Sequence, residues 1–250
     1  MIDRKQQPPV IIDTELPLIN PAASRLNNGL SVYFLEGGTE EIVKVEIVFF
    51  AGSYYQNKPL VAFAAANLLR AGTKKRSRAE IDELFDFYSA HIQVEAQKDI
   101  VSVSMFVLNK HLDKAFDLFC EIIKEPAFPE KEMRIFLTNQ QNLHNINQKK
   151  VQFLARNYFN ELVYGESHPY GYMTKTEDFD NVSRDDLVAF HADWFHAGNA
   201  FCIISGRIPE AMSAKVSEGL GDMKAGGDNV TKPPTFRMLS SGRRQMHLEV

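Results

Sequence analysis

The sequence has few cysteines and no long apolar run. Of its 250 residues only Cys120 and Cys202 are cysteine, and each lies inside an apolar stretch, which predicts a free thiol in the core rather than a disulfide or a metal motif. No run of about 18 apolar residues occurs, so no transmembrane helix is expected. The first residues lack the apolar stretch of a signal peptide. These absences predict a cytoplasmic location.

Excess positive charge is also lacking. The net charge is -4 at neutral pH, and without a basic surface neither a nucleic acid nor an acidic lipid is expected as a partner. The composition, 44% hydrophobic and 24% charged, is that of an ordinary globular protein. It provides enough chain for one large domain or two small ones.

No helix-borne pair of zinc-binding histidines is present. The seven histidines include no pair four residues apart, and neither H-x-x-E-H nor H-E-x-x-H occurs anywhere in the chain. His191 and His196 are five apart, which would place them on different faces of a helix. The two commonest helical zinc motifs of peptidases are therefore excluded.

Local patterns predict strands grouped between helices. Alternation of apolar and polar residues or short apolar runs predict strands at 30–35, 42–50, 92–96, 101–107 and 200–205. Apolar periodicity and capping signals, including the Ser77–Glu80 capping box, predict helices at 58–71, 77–89, 110–125, 129–147, 150–164, 183–196 and 209–220. Without regular strand–helix–strand alternation, this order indicates an α+β fold with an antiparallel sheet covered by helices on one face.

The helix predicted at 58–71 has almost no polar face. Pro59 falls in its expected first turn, and nearly every residue between Leu60 and Leu69 is apolar. A helix that is apolar all round is a buried helix.

The sequence also suggests domain boundaries. Residues 1–20 indicate an N-terminal arm and residues 21–222 a single domain. The glycine and proline pairs within 223–234 are typical of a linker. The remaining residues, 235–250, are too few to bury a core of their own and predict the start of a second, incomplete domain.

Three segments form a longer pattern. The first is Leu-Asn-Asn-Gly-Leu at 26–30, followed by a strand pair that ends in Phe-Ala-Gly-Ser at 50–53. The second begins at the end of the apolar helix, at 68–77, and contains Arg-Ala-Gly-Thr. The third starts with His-Pro-Tyr-Gly at 168–171 and continues through the helix and strand of 183–206.

In order and spacing these segments resemble the N-terminal domain of the pitrilysin/insulinase-type metallopeptidases, the family of mitochondrial processing peptidase. The resemblance runs from about residue 20 to the predicted linker. It implies the α+β metallohydrolase fold of that family, with helices packed on one face of an antiparallel sheet.

Active members of that family carry H-x-x-E-H on the buried helix before a Gly-Thr pair, where both histidines bind zinc and the glutamate activates water. Counted back from Gly72-Thr73, the first histidine position holds Phe63, the glutamate position Ala66 and the second histidine position Asn67. Neither phenylalanine nor alanine can bind Zn²⁺, and asparagine is a poor ligand for it.

The family's third zinc ligand is a glutamate further along the chain. The matching window contains Asn142, Leu143 and His144, with no carboxylate. His144 lies on a mostly polar predicted helix and is expected to be a surface or capping histidine. The resemblance therefore implies no catalytic residue and no zinc or other cofactor, unless a partner subunit supplies the metal.

Members of the family often work as paired half-size subunits, of which only one carries the zinc motif. The leading hypothesis is a non-catalytic subunit that partners a zinc-bearing paralogue in peptide hydrolysis. The alternatives are a structural or assembly subunit without a peptidase role, and a peptide-binding module.

The family also holds substrate as an added strand at a sheet edge beside the zinc helix. The matching segment is 90–96, with Ile92 and Val94 as candidate peptide-binding residues. Edge pairing uses backbone groups and needs no catalytic residue. An ordinary strand of the sheet is the simpler interpretation of the same segment.

Overall fold

A computed structural model describes residues 19–226. Within them lie six strands: β1 Ala22–Arg25, β2 Ser31–Glu36, β3 Ile42–Phe49, β4 His91–Ala96, β5 Val101–Leu108 and β6 Ala200–Gly206. The same residues contain seven α-helices: α1 Val61–Asn67, α2 Arg78–Phe87, α3 Leu112–Lys124, α4 Glu130–Asn147, α5 Val151–Tyr164, α6 Arg184–Trp194 and α7 Met212–Leu220.

The six strands form one sheet in the order β1-β2-β6-β3-β5-β4. All neighbouring pairs are antiparallel except β2 and β6, which are parallel. The parallel pair arises because β6 returns from the C-terminal part of the domain and inserts between β2 and β3. This order leaves β4 at one edge, next to α1.

The core lies between the sheet and the helices. Along the central strand β3, Val43, Val45 and Ile47 are completely buried, whereas Lys44 and Glu46 between them are only half-buried and pair with each other at 2.8 Å. Alternation of this kind means that one face of the sheet packs against helices and the other is open among the described residues. The amphipathic helix α3 supplies much of the covering layer, including Phe116 and Phe119.

The expected α+β class with helices on one face of the sheet is confirmed, and one strand pair is parallel. The predicted capping box of α2 forms between Ser77 and Glu80, and α6 has a second one, which was not predicted, between Ser183 and Asp186. Strand β1 was not expected, because its residues are all exposed and carry no apolar alternation.

The apolar helix is much shorter than 58–71. Leu60 has a left-handed backbone (φ 68°) and is the N-cap, so α1 begins at Val61 and Pro59 lies before the helix rather than in its first turn. The helix ends at Asn67.

The expected domain boundary at 222 stays a prediction. The two residues that follow it contact the described domain, because Met223 is buried and the Lys224 carbonyl accepts from Ala197 N–H at 2.9 Å. The predicted arm, apart from residues 19–20, and nearly all of the predicted linker and second domain lie outside the described residues.

Candidate functional site

The three motif positions on α1 point in different directions. Ala66 is completely buried, as are Ala64 and Ala65. Phe63 and Asn67 are only half-buried and lie one turn apart. The expectation of a helix buried all round is therefore wrong at the two positions that hold histidines in active members.

Each of these two side chains has a partner within the protein. The Phe63 ring packs against the Phe136 ring of α4, with centroids 5.5 Å apart. The Asn67 amide Nδ2 donates to the Phe63 carbonyl at 2.8 Å, so the amide folds back along its own helix. An amide turned onto its backbone is not presented to a ligand in this conformation.

The distal window lies on α4, and its three residues differ in exposure. Asn142 is exposed, and Leu143 is half exposed. His144 is only 8% exposed, so the expectation of a surface histidine is wrong. Its ring contacts the rings of Phe153 and Phe179, with centroids 6.0 and 5.5 Å away.

The buried imidazole of His144 has one hydrogen-bond partner among the described residues. The Gln148 amide Nε2 lies 2.7 Å from His144 Nε2, which accepts this bond in the neutral tautomer. Burial lowers the pKa of His144 below its ordinary value, and the charge of Asp178 opposes this only partly. The apolar rings around it favour the neutral form of this histidine, which packs between them.

The sheet edge expected to hold a peptide is β4. Ile92 is buried and Val94 half-buried on the face toward the helices, while His91, Gln93 and Glu95 are exposed on the other face. No strand of the described residues pairs with the outer side of β4. Its edge position is what strand addition by an extended peptide requires.

The turn that follows β4 is held by the segment before α1. Gly52 N–H donates to the Asp99 carbonyl at 3.1 Å, and Tyr54 N–H donates to the Lys98 carbonyl at 2.8 Å. A side chain at Gly52 would bring its Cβ to 2.3 Å from the Lys98 carbonyl oxygen, so only glycine permits this approach. The Phe-Ala-Gly-Ser segment thereby fixes the turn beside the edge strand.

The His-Pro-Tyr-Gly segment packs on the same turn. The Tyr170 hydroxyl donates to the Asp99 carboxylate, and the His168 ring stacks on Tyr164 at 5.5 Å between centroids. Burial, together with Asp99, raises the pKa of the Tyr170 hydroxyl. A Cβ at Gly171 would lie 2.1 Å from the Gly165 carbonyl oxygen, so this loop also closes through a glycine.

These segments form the walls of one groove. A cavity of about 740 Å³ lies between the 53–60 segment, the β4–β5 turn and the 167–174 loop. A second cavity of about 280 Å³ continues from it toward α4 and α5, and includes Leu143 and His144 in its lining. Both cavities are lined by Leu60, Phe63, Lys98, Tyr172 and Thr174. We call the two cavities together the α1 groove.

The α1 groove brings together part of the expected site. Phe63, Leu143 and His144 line it, whereas Ala66 faces the core and neither Asn67 nor Asn142 lines either cavity. Sequence reasoning did not single out Lys98 or Tyr172, which line both cavities. The His-Pro-Tyr-Gly motif, two residues before Tyr172, was the available signal for the second of them.

The residues at the family's metal positions do not fit zinc. Phe63 and Ala66 have no lone pair to donate, and the window on α4 holds no carboxylate. Within residues 19–226, no group of three or more histidine, cysteine, aspartate or glutamate side chains is arranged to hold a metal ion. No catalytic step through zinc can be derived from these residues.

Among residues 19–226, no helix is long and apolar enough to cross a bilayer.

Comparison with known proteins agrees with this geometry. The family model described as insulinase (peptidase family M16) matches residues 32–168, more than half of the chain. An uncharacterized zinc protease of Rickettsia bellii (strain RML369-C) is 20% identical over 200 residues, which are 79% of this chain and 48% of that protein. A second, of Rickettsia felis (strain ATCC VR-1525 / URRWXCal2), is 23% identical over 193 residues, 74% of this chain and 46% of the relative.

Two solved structures share the fold. A peptidase M16 inactive domain from Pseudomonas fluorescens superposes with a TM-score of 0.77 at 22% identity, covering 88% of this chain and 53% of that one. A protease from Helicobacter pylori superposes with a TM-score of 0.75 at 20% identity, covering 88% and 54%. The chain thus spans about half the length of the relatives it matches.

Proposed function

The chain belongs to the insulinase family of peptidases, peptidase family M16, and on that basis we propose that it is a non-catalytic subunit that pairs with a zinc-bearing paralogue in peptide hydrolysis. The observation that carries the proposal is the combination of an intact family fold with unsuitable residues at the metal positions. Phe63, Ala66 and Asn67 replace the two ligands and the general base. A subunit of this kind contributes binding surface, and the paralogue contributes the chemistry.

The position of the α1 groove supports peptide binding. The α1 groove opens beside the outer edge of β4, which no strand within residues 19–226 covers, and its lining includes Ala96 at the end of β4. An extended peptide added to β4 would pair through backbone groups, and its alternate side chains would enter the groove. Ile92 and Val94 are the β4 residues on the helix side of this arrangement.

Exposed apolar residues on α5 support the proposal of a partner subunit. None of the residues of this helix is buried, yet Val151, Ala155, Phe159 and Val163 are apolar and repeat every fourth residue. Residues with that spacing lie along one helix face; we call this set the α5 stripe. Phe159 is 64% exposed and Val151 60%, which is unusual for an apolar stripe of this length unless another surface covers it.

The α5 stripe lies on the same helix that closes the groove. Phe153 and Asn157 of α5 line the second cavity of the α1 groove. At about 3.6 residues per turn, these two residues lie on the side of α5 opposite the stripe, so a subunit that covered the stripe would bind the outer face of this helix.

Co-purification tests the pairing. The tagged chain, expressed in its native host, should retain a paralogue that carries an intact H-x-x-E-H motif, and the pair should cleave peptides that neither subunit cleaves alone. Phe159→Lys in the α5 stripe should reduce recovery of the paralogue at least tenfold, because burying an unpaired ammonium opposes association. Arg156→Lys, on the same helix outside the stripe, is the matched control and should leave recovery unchanged.

Two results would contradict the proposal. Recovery of a stable complex without any zinc-bearing subunit would favour the structural or assembly role instead. Unchanged recovery with Phe159→Lys would show that the partner does not cover α5.

A further inference from the structure

We propose that the ammonium group of Lys98 anchors a carboxylate of the peptide bound along β4, so that the α1 groove selects acidic peptides. The inference rests on the peptide binding proposed above and specifies its ligand. It adds a charge preference to a surface that otherwise recognises only an extended backbone.

Lys98 occupies the junction of the groove. It follows β4 by two residues and lines both cavities. Its backbone is fixed, because its carbonyl accepts from Tyr54 N–H at 2.8 Å and Gly52 packs directly against that carbonyl. The side chain therefore starts from a defined point beside the end of the edge strand.

The charge of Lys98 is uncompensated within the described part of the chain. Among the ion pairs of residues 19–226 none involves Lys98. Its ammonium donates to the Pro169 carbonyl at 3.3 Å, a long bond that leaves donors available.

The other charges of the larger cavity are engaged. The Lys58 ammonium pairs with the Asp186 carboxylate at 2.6 Å, and the Asp99 carboxylate accepts from Tyr170. Lys98 is thus the cation of the α1 groove that has no ion-pair partner among the described residues, whereas the neighbouring Asp99 carboxylate is held by the Tyr170 hydroxyl. An ammonium without a carboxylate partner attracts the carboxylate of a bound peptide, which gives the preference its physical basis.

Two peptide groups offer this chemistry. A peptide antiparallel to β4 would bring its N-terminal half toward Lys98, so the carboxylate would come from an aspartate or glutamate side chain. A parallel peptide would bring its C-terminal end there, and the terminal carboxylate would suffice. The shared feature is a carboxylate near the end of the bound strand, and the two sources are separable by synthesis.

The test uses the full 250-residue chain and four acetylated strand-forming peptides of about nine residues. The parent has a Gln near its N-terminus and an amidated C-terminus; the others replace that Gln with Glu, replace it with Lys, or restore the free C-terminal carboxylate. Dissociation constants are measured by calorimetry. The Glu peptide or the free-acid peptide should bind about tenfold more tightly than the parent.

Variants of the chain assign the effect to Lys98. Lys98→Met should remove the preference for the Glu or free-acid peptide over the parent peptide, and Lys98→Glu should reverse it in favour of the Lys peptide. Lys114→Glu, at an exposed position on α3, makes the same charge change outside the groove and should preserve the wild-type preference.

The outcomes separate this inference from the proposed function. Equal affinity of all four peptides for the wild-type chain would overturn the role of Lys98 while leaving strand capture in place. A preference that survives in Lys98→Met would overturn it as well. Absence of binding by every peptide would overturn both the inference and the peptide binding on which it rests.

Discussion

Phe63, the residue matched to the first zinc histidine of the family motif, is a packing residue in this fold. Its ring lies in the α1 groove on one side and against Phe136 on the other. Only part of the ring is shielded from water, because α1 turns this position toward the groove rather than the core. Its contribution to stability should therefore be smaller than that of a core aromatic residue.

Phe63→Ala should lower the free energy of unfolding by about 2 kcal/mol, roughly half of the 3–5 kcal/mol lost when a fully buried phenylalanine is truncated. Urea denaturation followed by circular dichroism measures the change. Phe87→Ala, at a 72% exposed position on α2, is the control and should change stability by less than about 0.5 kcal/mol. If Phe63→Ala lowers the free energy of unfolding by no more than the Phe87→Ala control does, the Phe63 ring is not packed against α4.

His144 is a second residue whose environment is apolar. Burial lowers its pKa from the ordinary value of 6.5, so the folded protein binds a proton there less readily than the unfolded chain. Stability linked to this group is present above the unfolded pKa and is lost as the pH falls below about 6.5. Burial lowers the pKa of His191 and His196 in the same direction.

The protein should therefore be less stable at pH 5.5 than at pH 7.5, and His144→Gln should reduce that difference. Urea midpoints at the two pH values measure it. His91→Gln, at an exposed position on β4, serves as the control. An unchanged pH dependence in His144→Gln would show that this histidine can be protonated in the fold.

Among the individual residues of the site, the sequence predicted only some. The spacing to Gly72-Thr73 placed Phe63 on the helix that borders the groove, and the family pattern placed His144 opposite it. The exposure of His144 was misjudged because Phe153 and Phe179, which cover it, come from other elements. Nothing in the local sequence distinguishes Lys98 from any other lysine in a turn.

At the scale of elements, β4 combines an exposed edge with a regular ladder. Gln97 N–H donates to the Ile100 carbonyl at 2.8 Å, so this residue points toward β5. Because hydrogen-bonded and non-hydrogen-bonded pairs alternate in an antiparallel ladder, we expect Ile92, Val94 and Ala96 to direct their N–H and C=O groups away from β5. Val94 then lies in the middle of the open edge.

Val94→Pro should abolish capture of an extended peptide while the domain stays folded. Proline at an outward-facing position removes a donor from the open edge without breaking a bond to β5. The expected result is at least a tenfold weaker affinity in calorimetry, with the partner subunit still retained. Val94→Ala keeps the backbone N–H and shortens the side chain. Its effect on peptide affinity, expected to be smaller, measures the contribution of the Val94 side chain alone. Unchanged binding by the folded proline variant would show that β4 is an ordinary edge strand.

Elements with strong local signals were predictable, and elements defined by distant partners were not. Strands β4 and β5 follow from alternation, and α2 and α6 begin at the serines that start their capping boxes. The length of α1 was overestimated because apolar composition cannot show the left-handed backbone of Leu60. The parallel pairing of β2 with β6 depends on a strand far along the chain, which no local pattern encodes.

At the scale of the whole molecule, the fold separates the groove from the core. Both ends of the family motif, Phe63 and Asn67, are half-buried, but Ala66 between them is completely buried. In an active member the glutamate at the Ala66 position acts on metal-bound water. Here the matched position, Ala66, is buried in the apolar core, so its surroundings offer no polar environment for metal-bound water.

Restoring the motif should therefore fail to restore a peptidase. The triple variant Phe63→His, Ala66→Glu, Asn67→His supplies two ligands and the base but places a carboxylate at a completely buried position, and Asn142, Leu143 and His144 still provide no third carboxylate. A buried, unpaired charge costs about 3–5 kcal/mol. We expect a strongly lowered melting temperature, less than one zinc per chain after dialysis and no peptide cleavage.

The double variant Phe63→His, Asn67→His tests whether the buried carboxylate or the two histidines destabilise the triple variant. It changes only the half-buried positions, so it should fold close to normally and bind zinc weakly through two histidines four residues apart. If burial of the carboxylate is the main obstacle, melting will separate the two variants by many degrees. Efficient cleavage by the triple variant would instead mean that the surroundings of Ala66 can accommodate an active site. In that case the residues Phe63, Ala66 and Asn67 alone would explain why the natural chain lacks peptidase activity.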